Sequence, residues 1–193
     1  MEALRVLLAV SVFGAVHSLL AADAVKNAAR KWFGPPADRV YRICYNGVAV
    51  ITLVPLAAVT VQNLGAVIYA APMPWAAAMA AGMAAGILLL AASFLLSDPA
   101  YFAGLRQLGS QDAAPRLVAG GPYRIVRHPI YSTALLTLWC LPVQTVGTLA
   151  FTIGATIYIL VGSELEERRL ILQFGDEYIR YRSTVARLIP FIY

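Results

Sequence analysis

Residues 43–97, ICYNGVAVITLVPLAAVTVQNLGAVIYAAPMPWAAAMAAGMAAGILLLAASFLLS, contain no Asp, Glu, Lys or Arg in 55 consecutive positions. A helix that crosses the hydrocarbon core of a membrane needs only about 20 apolar residues. The stretch is therefore long enough for two such helices, with a turn near APMP at 71–74. It predicts membrane spans over about 42–62 and 74–97.

Two further apolar runs extend this pattern to the whole chain. Residues 6–22 and 129–163 also lack charged side chains, and 60% of the 193 residues are hydrophobic, with a mean hydropathy of +0.71. The first run predicts a span over 3–22, since Glu2 and His17 make a cleaved signal peptide the less favoured interpretation. The last run is too long for one span, and its turn signals (Pro142, Gln144 and Gly147) predict a hairpin of spans 129–143 and 146–172.

The fold class that these patterns predict is an all-α integral membrane protein of one domain, 1–193, with five transmembrane helices. After the last span, DEYIRYRSTVARLIP begins at Asp176, a candidate N-cap, and places Tyr178, Tyr181 and Val185 on one helical face. We therefore expect an amphipathic C-terminal helix that lies on, or folds back to, the membrane.

Basic residues are concentrated in three segments, 26–42, 106–127 and 168–187, which hold 14 of the 15 Lys and Arg residues. Basic connections lie on the cytoplasmic side of membrane proteins. This distribution predicts a protein of the cell (inner) membrane with its N-terminus outside and its C-terminus in the cytoplasm. The net charge of +5 is explained by these span ends, so we expect membrane lipids, and no nucleic acid, among its partners.

The most polar stretch is GGPYRIVRHPIYS, residues 120–132, directly before the predicted hairpin. The return of the hairpin brings it close to SELEERR, residues 163–169, on the cytoplasmic side. Free backbone N–H groups at the helix start near His128 favour an anionic group, and Glu164 and Glu167 share one helical face by their i, i+3 spacing. The same residues also fit a plainer interpretation, with His128 at a headgroup-facing helix end and the acids in solvated salt bridges.

A helix start, a carboxylate and tyrosine side chains together suit a zwitterionic nucleoside such as S-adenosylmethionine, and other ligands as well. Glycine-rich nucleotide loops and clusters with metal-ligand spacing are both absent from the sequence. No metal is therefore predicted.

GPYRIVRHPIY and EERRLILQFGDEYIRYRSTVARLIP resemble the two motifs of the isoprenylcysteine carboxyl methyltransferase and phospholipid methyltransferase superfamily, over residues 115–190. AVHSLL, FAGLRQL and LWCLPVQTVGTLAFTIGATIYILVGSELEER are similar to one bacterial branch of it, the methanethiol S-methyltransferases and NnrU-like proteins. The resemblance implies a membrane enzyme that uses S-adenosylmethionine, with a cytoplasmic-side pocket built from 104–131 and 162–190.

The resemblance implies that residues 115–118 contact the nucleoside of the cofactor. Tyr123 and residues 128–131 would complete the same wall of the pocket, and Glu166 would contact the methionine part. Helical spacing, by contrast, sets Glu166 apart from Glu164 and Glu167. The residues assigned to the cofactor are Gln107, Pro115, Arg116, Leu117, Val118, Tyr123, His128, Pro129, Ile130, Tyr131 and Glu166.

One departure from the superfamily pattern concerns the substrate. The carboxyl methyltransferases resembled here carry an arginine for the substrate carboxylate four residues before the matched glutamate, and this chain has Gly162 there. A small or lipophilic acceptor, most plausibly a thiol, is therefore predicted. The residue that activates it is not defined, and His17, Arg106 and Arg127 are candidates for an environment that favours thiolate. For His17, a role in a helix contact fits equally well.

Three alternatives remain open on sequence alone. The first is carboxyl O-methylation or phospholipid N-methylation, the second an NADPH-dependent membrane reductase with a similar RHPxY pattern, and the third a non-enzymatic NnrU-like accessory protein. The oligomeric state is not indicated by any pattern in the sequence.

Overall fold

The computed structural model describes residues 1–109 and 116–192, which are mostly helical. In chain order the helices are α1 (Glu2–Ala21), α2 (Asp23–Phe33), α3 (Pro36–Gln62), α4 (Trp75–Leu96), α5 (Pro99–Ala103), α6 (Arg106–Gly109), α7 (Pro129–Trp139), α8 (Val146–Phe174) and α9 (Asp176–Thr184). A 3-10 turn covers Gly121–Arg124, and two short strands are β1 (Val67–Ala70) and β2 (Val143–Thr145).

Four of the described helices, α1, α3, α4 and α8, are long and apolar enough to cross a membrane. The protein is thus an all-α membrane protein, as predicted. The span predicted over 129–143 is not matched, because α7 has 11 residues and rises only about 16 Å, against a hydrocarbon core of about 30 Å. Helix α7 ends at Trp139, before Pro142 and β2. The described residues therefore contain four candidate spans instead of the predicted five.

The contacts divide the chain into two compact units. Unit 1 contains residues 1–65, 146–154 and, of the segment that follows α4, the described residues 98–109. Its core is formed where α1, α3 and the start of α8 meet, at Val6, Val10, Leu56 and Ala150. Helix α2, which was expected only as a connection, is present in this unit and buries none of its residues.

A tight backbone contact in unit 1 explains why residue 147 is a glycine. Gly147 donates its backbone N–H to the carbonyl of Leu64 at 2.8 Å, and a Cβ atom at this position would collide with the carbonyl of Asn63. Asn63 is itself 8% exposed and accepts a hydrogen bond from Arg5 at 3.1 Å. The start of α8 therefore packs against backbone with no room for a side chain.

Unit 2 contains residues 66–97, 116–145 and the remainder of the chain from Ala155. Helix α4 packs against α7, and its small residues allow a close approach: Gly82 faces Cys140, and Gly86 faces Thr137 and the local backbone. The antiparallel pair β1–β2, which was not predicted, joins Val67 to Thr145 and Ala70 to Val143.

The C-terminal helix is shorter than predicted. It covers Asp176–Thr184, and the residue before it, Gly175, has a positive φ of 54°. Gly175 rather than Asp176 therefore occupies the N-cap position. Tyr178 is 1% exposed and Ile179 is 49% exposed, so the buried face of α9 is a tyrosine face rather than an aliphatic one.

Candidate functional site

The polar cluster of unit 2 is centred on Glu167, a carboxylate that is 1% exposed. Arg127 donates from Nε to Glu167 Oε1 at 2.7 Å, and its Nη2 lies 2.6 Å from the same oxygen. Arg182 Nε lies 3.3 Å from Oε2, and His128 Nε2 lies 3.4 Å from Oε1. An acid buried this deeply requires such partners, since an unpaired charge in an apolar interior is strongly unfavourable.

A C-terminal strap, residues 185–188, lies along the segment that precedes α7. Arg127 N donates to Ala186 O at 2.8 Å, His128 N to Arg187 O at 3.2 Å, and Ser132 Oγ to Leu188 O at 2.7 Å. The guanidinium of Arg127 also donates to the carbonyl of Val185. The Arg127 side chain therefore ties the buried acid of α8 to the backbone of the strap.

The three glutamates of α8 have different surroundings. Glu167 is enclosed as described above, and Glu164 pairs with Arg187 at 2.7 Å and with Arg168 at 3.3 Å. Glu166 has a side chain that is 44% exposed, and its described ionic contact is His128 Nδ1 at 3.7 Å. The i, i+3 prediction thus groups two glutamates that are each paired with arginines, but with different ones. Glu166, by contrast, is a partly exposed carboxylate without an arginine partner among the described residues.

His128 is the residue before α7 and is 5% exposed. Its ring stacks on Tyr131 with centroids 5.6 Å apart. Burial lowers the pKa of His128 below its ordinary value, and the nearby carboxylates of Glu166 and Glu167 only partly offset this. Because Arg127 already neutralises Glu167, the imidazole is held mainly in its neutral form.

Three tyrosines lie close to this cluster. Tyr181 donates to the carbonyl of Tyr123 at 2.5 Å, and its ring meets that of Tyr178 edge to face at 5.9 Å. Burial raises the pKa of all three phenols, that of Tyr181 to about 12. They remain neutral near pH 7, so their chemistry here is hydrogen bonding and ring contact rather than proton abstraction.

The remaining predicted cofactor residues of unit 2 lie on both sides of the 3-10 turn. Arg116 is exposed, and Leu117 and Val118 are half-buried in a stretch without regular structure. Pro129 is buried and Ile130 is half-buried in the first turn of α7. Pro115 lies outside the described residues.

Gln107, Arg106 and His17 belong to unit 1. Gln107 donates to the carbonyl of Tyr101 at 3.3 Å, and Arg106 pairs with Asp98 at 3.1 Å. His17 Nε2 is hydrogen-bonded to the hydroxyl of Tyr45, and its ring stacks on Phe13. Each of these side chains therefore already has a partner within its own unit.

Sequence reasoning missed the basic residues that complete the buried cluster, Arg182 and Arg187, together with the tyrosine pair of α9. A signal was present, because EERR near residue 167 and the RYR of α9 place opposite charges in two helical segments separated by one glycine. Without the path of the strap, that pattern does not identify which charges meet.

The chemistry of the donor set fits the cofactor that the resemblance implies. Within residues 1–109 and 116–192, no group of three or more His, Cys, Asp or Glu side chains is placed to hold a metal ion. Glu166 can accept hydrogen bonds from an ammonium group. The half-buried ring of Tyr123 and the irregular backbone at 116–118 suit a nucleoside.

Fold and site together define a multi-span helical membrane protein with a polar, ion-paired cluster beside the start of a short helix. The chain belongs to the NnrU family, whose model, described as NnrU protein, matches residues 5–179. The predicted resemblance to the NnrU-like and methanethiol S-methyltransferase branch is thereby confirmed.

Relatives of known name support the same branch. Methanethiol S-methyltransferase 1 of Bradyrhizobium diazoefficiens is 32% identical over 191 residues, 95% of this chain and 65% of that protein. The methanethiol S-methyltransferase of Pseudomonas sp. GM41(2012) is 31% identical over 94% of this chain and 70% of its own length. That of Pseudomonas deceptionensis is 40% identical over 53% of this chain and 41% of its own length. The chain thus spans about two thirds of the first relative's length and less of the third's. No solved structure gives a significant match.

Proposed function

We propose that this protein transfers the methyl group of S-adenosylmethionine to a small thiol, with methanethiol as the favoured acceptor. The observation that carries the proposal is the contrast between two adjacent acids. Glu167 is neutralised by Arg127 and Arg182, whereas Glu166 stays half-exposed beside His128. An open carboxylate at this position suits the ammonium group of the methionine part, and the names of the relatives supply the acceptor class.

The cofactor supplies a methyl group activated by its sulfonium. The transfer forms a bond from the acceptor sulfur to the methyl carbon, breaks the carbon–sulfonium bond and releases the thiol proton, so that methanethiol gives dimethyl sulfide. Because no proton needs to be placed on the methyl group, the main task of the protein is alignment.

The residues assigned to this task follow from their surroundings. In unit 2, Glu166 binds the ammonium group, residues 116–118 and Tyr123 line the nucleoside, and 128–131 complete that wall. Pro115 and Gln107 are kept as cofactor residues on the resemblance alone. Arg127 differs from Arg106 in its burial: its side chain is 9% exposed and is engaged by Glu167 and strap carbonyls, whereas Arg106, although paired with Asp98, is 58% exposed. We therefore give Arg127 a positioning role and keep His17 and Arg106 as the candidates that favour thiolate.

Gly162 supports a thiol over a carboxylate acceptor. Among residues 1–109 and 116–192, no atom lies within 4 Å of a Cβ atom built at this position, so these residues leave open the place that an arginine fills in the resembled carboxyl methyltransferases. The three basic segments support placement of the site on the cytoplasmic side of the inner membrane; an N-terminus outside then requires a fifth crossing between His128 and Val146, in addition to the four long helices.

The test uses the full chain purified in detergent. Dimethyl sulfide is measured in the headspace by gas chromatography after addition of S-adenosylmethionine and methanethiol, and calorimetry measures binding of S-adenosylhomocysteine and, separately, NADPH. Product formation and heat with S-adenosylhomocysteine are expected. Heat with NADPH alone would replace the proposal by a reductase, and binding without turnover of thiol, amine or carboxylate acceptors would favour an accessory protein.

The matched variants are Glu166→Ala and Glu164→Ala, on the same helix. A hydrogen bond to a charged group contributes about 1.5–3 kcal/mol, so E166A is expected to weaken S-adenosylhomocysteine binding by about tenfold or more. E164A should leave the affinity nearly unchanged, since that side chain is engaged with Arg168 and Arg187. Equal losses in the two variants would overturn the assignment of Glu166.

A further inference from the structure

Helix α2, Asp23–Phe33, has two chemically distinct faces. At 100° per residue, its positions divide into one half that carries all the polar and charged side chains and one half that carries only apolar ones. The polar half is Asp23, Lys26, Asn27, Arg30 and Lys31, and the apolar half is Ala24, Val25, Ala28, Ala29, Trp32 and Phe33.

Most of the apolar half of α2 is not covered by protein in the part of the chain that the structure describes: Val25 and Ala29 are half-buried, and the other four residues are exposed. Trp32 is 80% exposed and Phe33 is 73% exposed, although α2 packs along α3 and α1. Two large aromatic side chains exposed side by side mark an interaction surface rather than an ordinary solvated one.

The position of α2 in unit 1 indicates what covers that surface. It connects the ends of two helices long and apolar enough to cross a membrane, α1 and α3, and is itself only about 16 Å long. Breaks at both ends, an extended Ala22 and Gly34 with φ of 72°, turn it away from the spans. A short amphipathic helix between two such helices suits the membrane interface, where Trp and Phe side chains are favourable at the boundary with the acyl chains.

The polar half of α2 is cationic. Lys26 pairs with Asp23 at 3.0 Å and Arg30 with Asp38 at 3.3 Å, but all four side chains are between 43% and 72% exposed, so these pairs are weak and open to other anions. Among residues 1–109 and 116–192, Lys31 has no acidic partner within 4.0 Å. Three cations next to an aromatic half match the phosphates of an anionic lipid layer.

We propose that α2 is an interfacial helix that binds anionic phospholipid headgroups through Lys26, Arg30 and Lys31 and inserts Trp32 and Phe33 at the acyl boundary. This surface is separate from the methyl-transfer site and does not depend on the proposed activity. It fixes the α1–α3 pair at a defined depth in the leaflet that carries the anionic lipid.

The test measures depth first. The full chain carrying Trp75→Phe and Trp139→Phe, which leaves Trp32 as its one tryptophan, is reconstituted into vesicles of phosphatidylcholine and phosphatidylglycerol. Blue-shifted Trp32 emission is expected, quenched more strongly by lipid brominated near the headgroup than near the chain end. Emission that stays water-like and unquenched would overturn the proposal in favour of a protein partner on this face.

The second measurement is headgroup preference. Energy transfer from Trp32 to dansyl-labelled phosphatidylglycerol is expected to exceed transfer to dansyl-labelled phosphatidylcholine about fivefold, since a basic side chain near an anionic surface is attracted by about 1 kcal/mol. Lys26→Glu with Lys31→Glu should make the two transfers equal, whereas the charge-matched Arg169→Glu with Arg180→Glu, on exposed residues of α8 and α9, should keep the preference. Equal transfer in the parent chain would refute the anionic preference.

Discussion

Replacement of Glu167 by Gln tests whether the buried ion pairs hold unit 2 together. The substitution keeps the shape of the side chain and removes the charge that compensates Arg127, whose side chain is 9% exposed and makes contacts of 2.6 and 2.7 Å to one carboxylate oxygen. Loss of one partner of a buried pair costs about 3–5 kcal/mol. We expect the lower end, about 3 kcal/mol, because Arg127 keeps two backbone carbonyl acceptors.

The assay is a thermal scan of helical circular dichroism in one detergent at a fixed scan rate. For a chain of this size, 1 kcal/mol shifts the midpoint by about 2–4 °C, so E167Q should lower the apparent midpoint by about 6–12 °C. The matched control is Glu166→Gln. This residue is adjacent in sequence, but its side chain is 44% exposed and its described ionic contact, to His128, is long at 3.7 Å. It should cost under about 1 kcal/mol, and a shift for E166Q as large as that for E167Q would refute the buried-pair explanation.

Three further outcomes are expected. Because the pKa of His128 is lowered in the folded chain, the unfolded chain binds more protons than the folded one below about pH 6.5, and thermal stability should fall as the pH drops through that value. His128→Gln should flatten this dependence of the midpoint on pH. An unchanged slope would exclude His128 as its source. Gly147→Ala should cost about 1–3 kcal/mol by overpacking against Asn63, whereas Gly162→Ala, with open space around it, should leave the midpoint nearly unchanged. Tyr181→Phe should cost about 1 kcal/mol, measured in the same scan, through loss of its 2.5 Å hydrogen bond; a midpoint equal to that of the parent would mean that this bond adds no stability.

The membrane character and the four long helices could be predicted from the sequence because they depend on local composition. A run of 55 uncharged residues requires spans wherever the turn falls, and α1, α4 and α8 begin and end within a few residues of the prediction. Helix α3 begins six residues before its predicted start, because Pro36 is favourable in a first helical turn and the amphipathic entry does not need to be apolar.

The features that could not be predicted depend on contacts between distant segments. The pairing of β1 with β2 joins residues about 75 positions apart. The two strands have four and three residues, too few for an alternation of polar and apolar side chains to be recognised. For the site, residues 164–167 are helical, so the i, i+3 spacing of Glu164 and Glu167 holds, but the two acids have different arginine partners. Their partners Arg187 and Arg182 could not be named, because these depend on the strap that runs beside residues 126–132.

The strap also sets the order in which the protein can be completed during synthesis. Residues 185–188 emerge after all four long helices, yet they supply the carbonyls that hold Arg127 and the backbone of His128. Without them, the pair of Arg127 and Glu167 lacks the strap carbonyls that hold the guanidinium. A nascent chain can therefore have every span inserted and still lack the site, so maturation is complete only when the strap docks on the cluster.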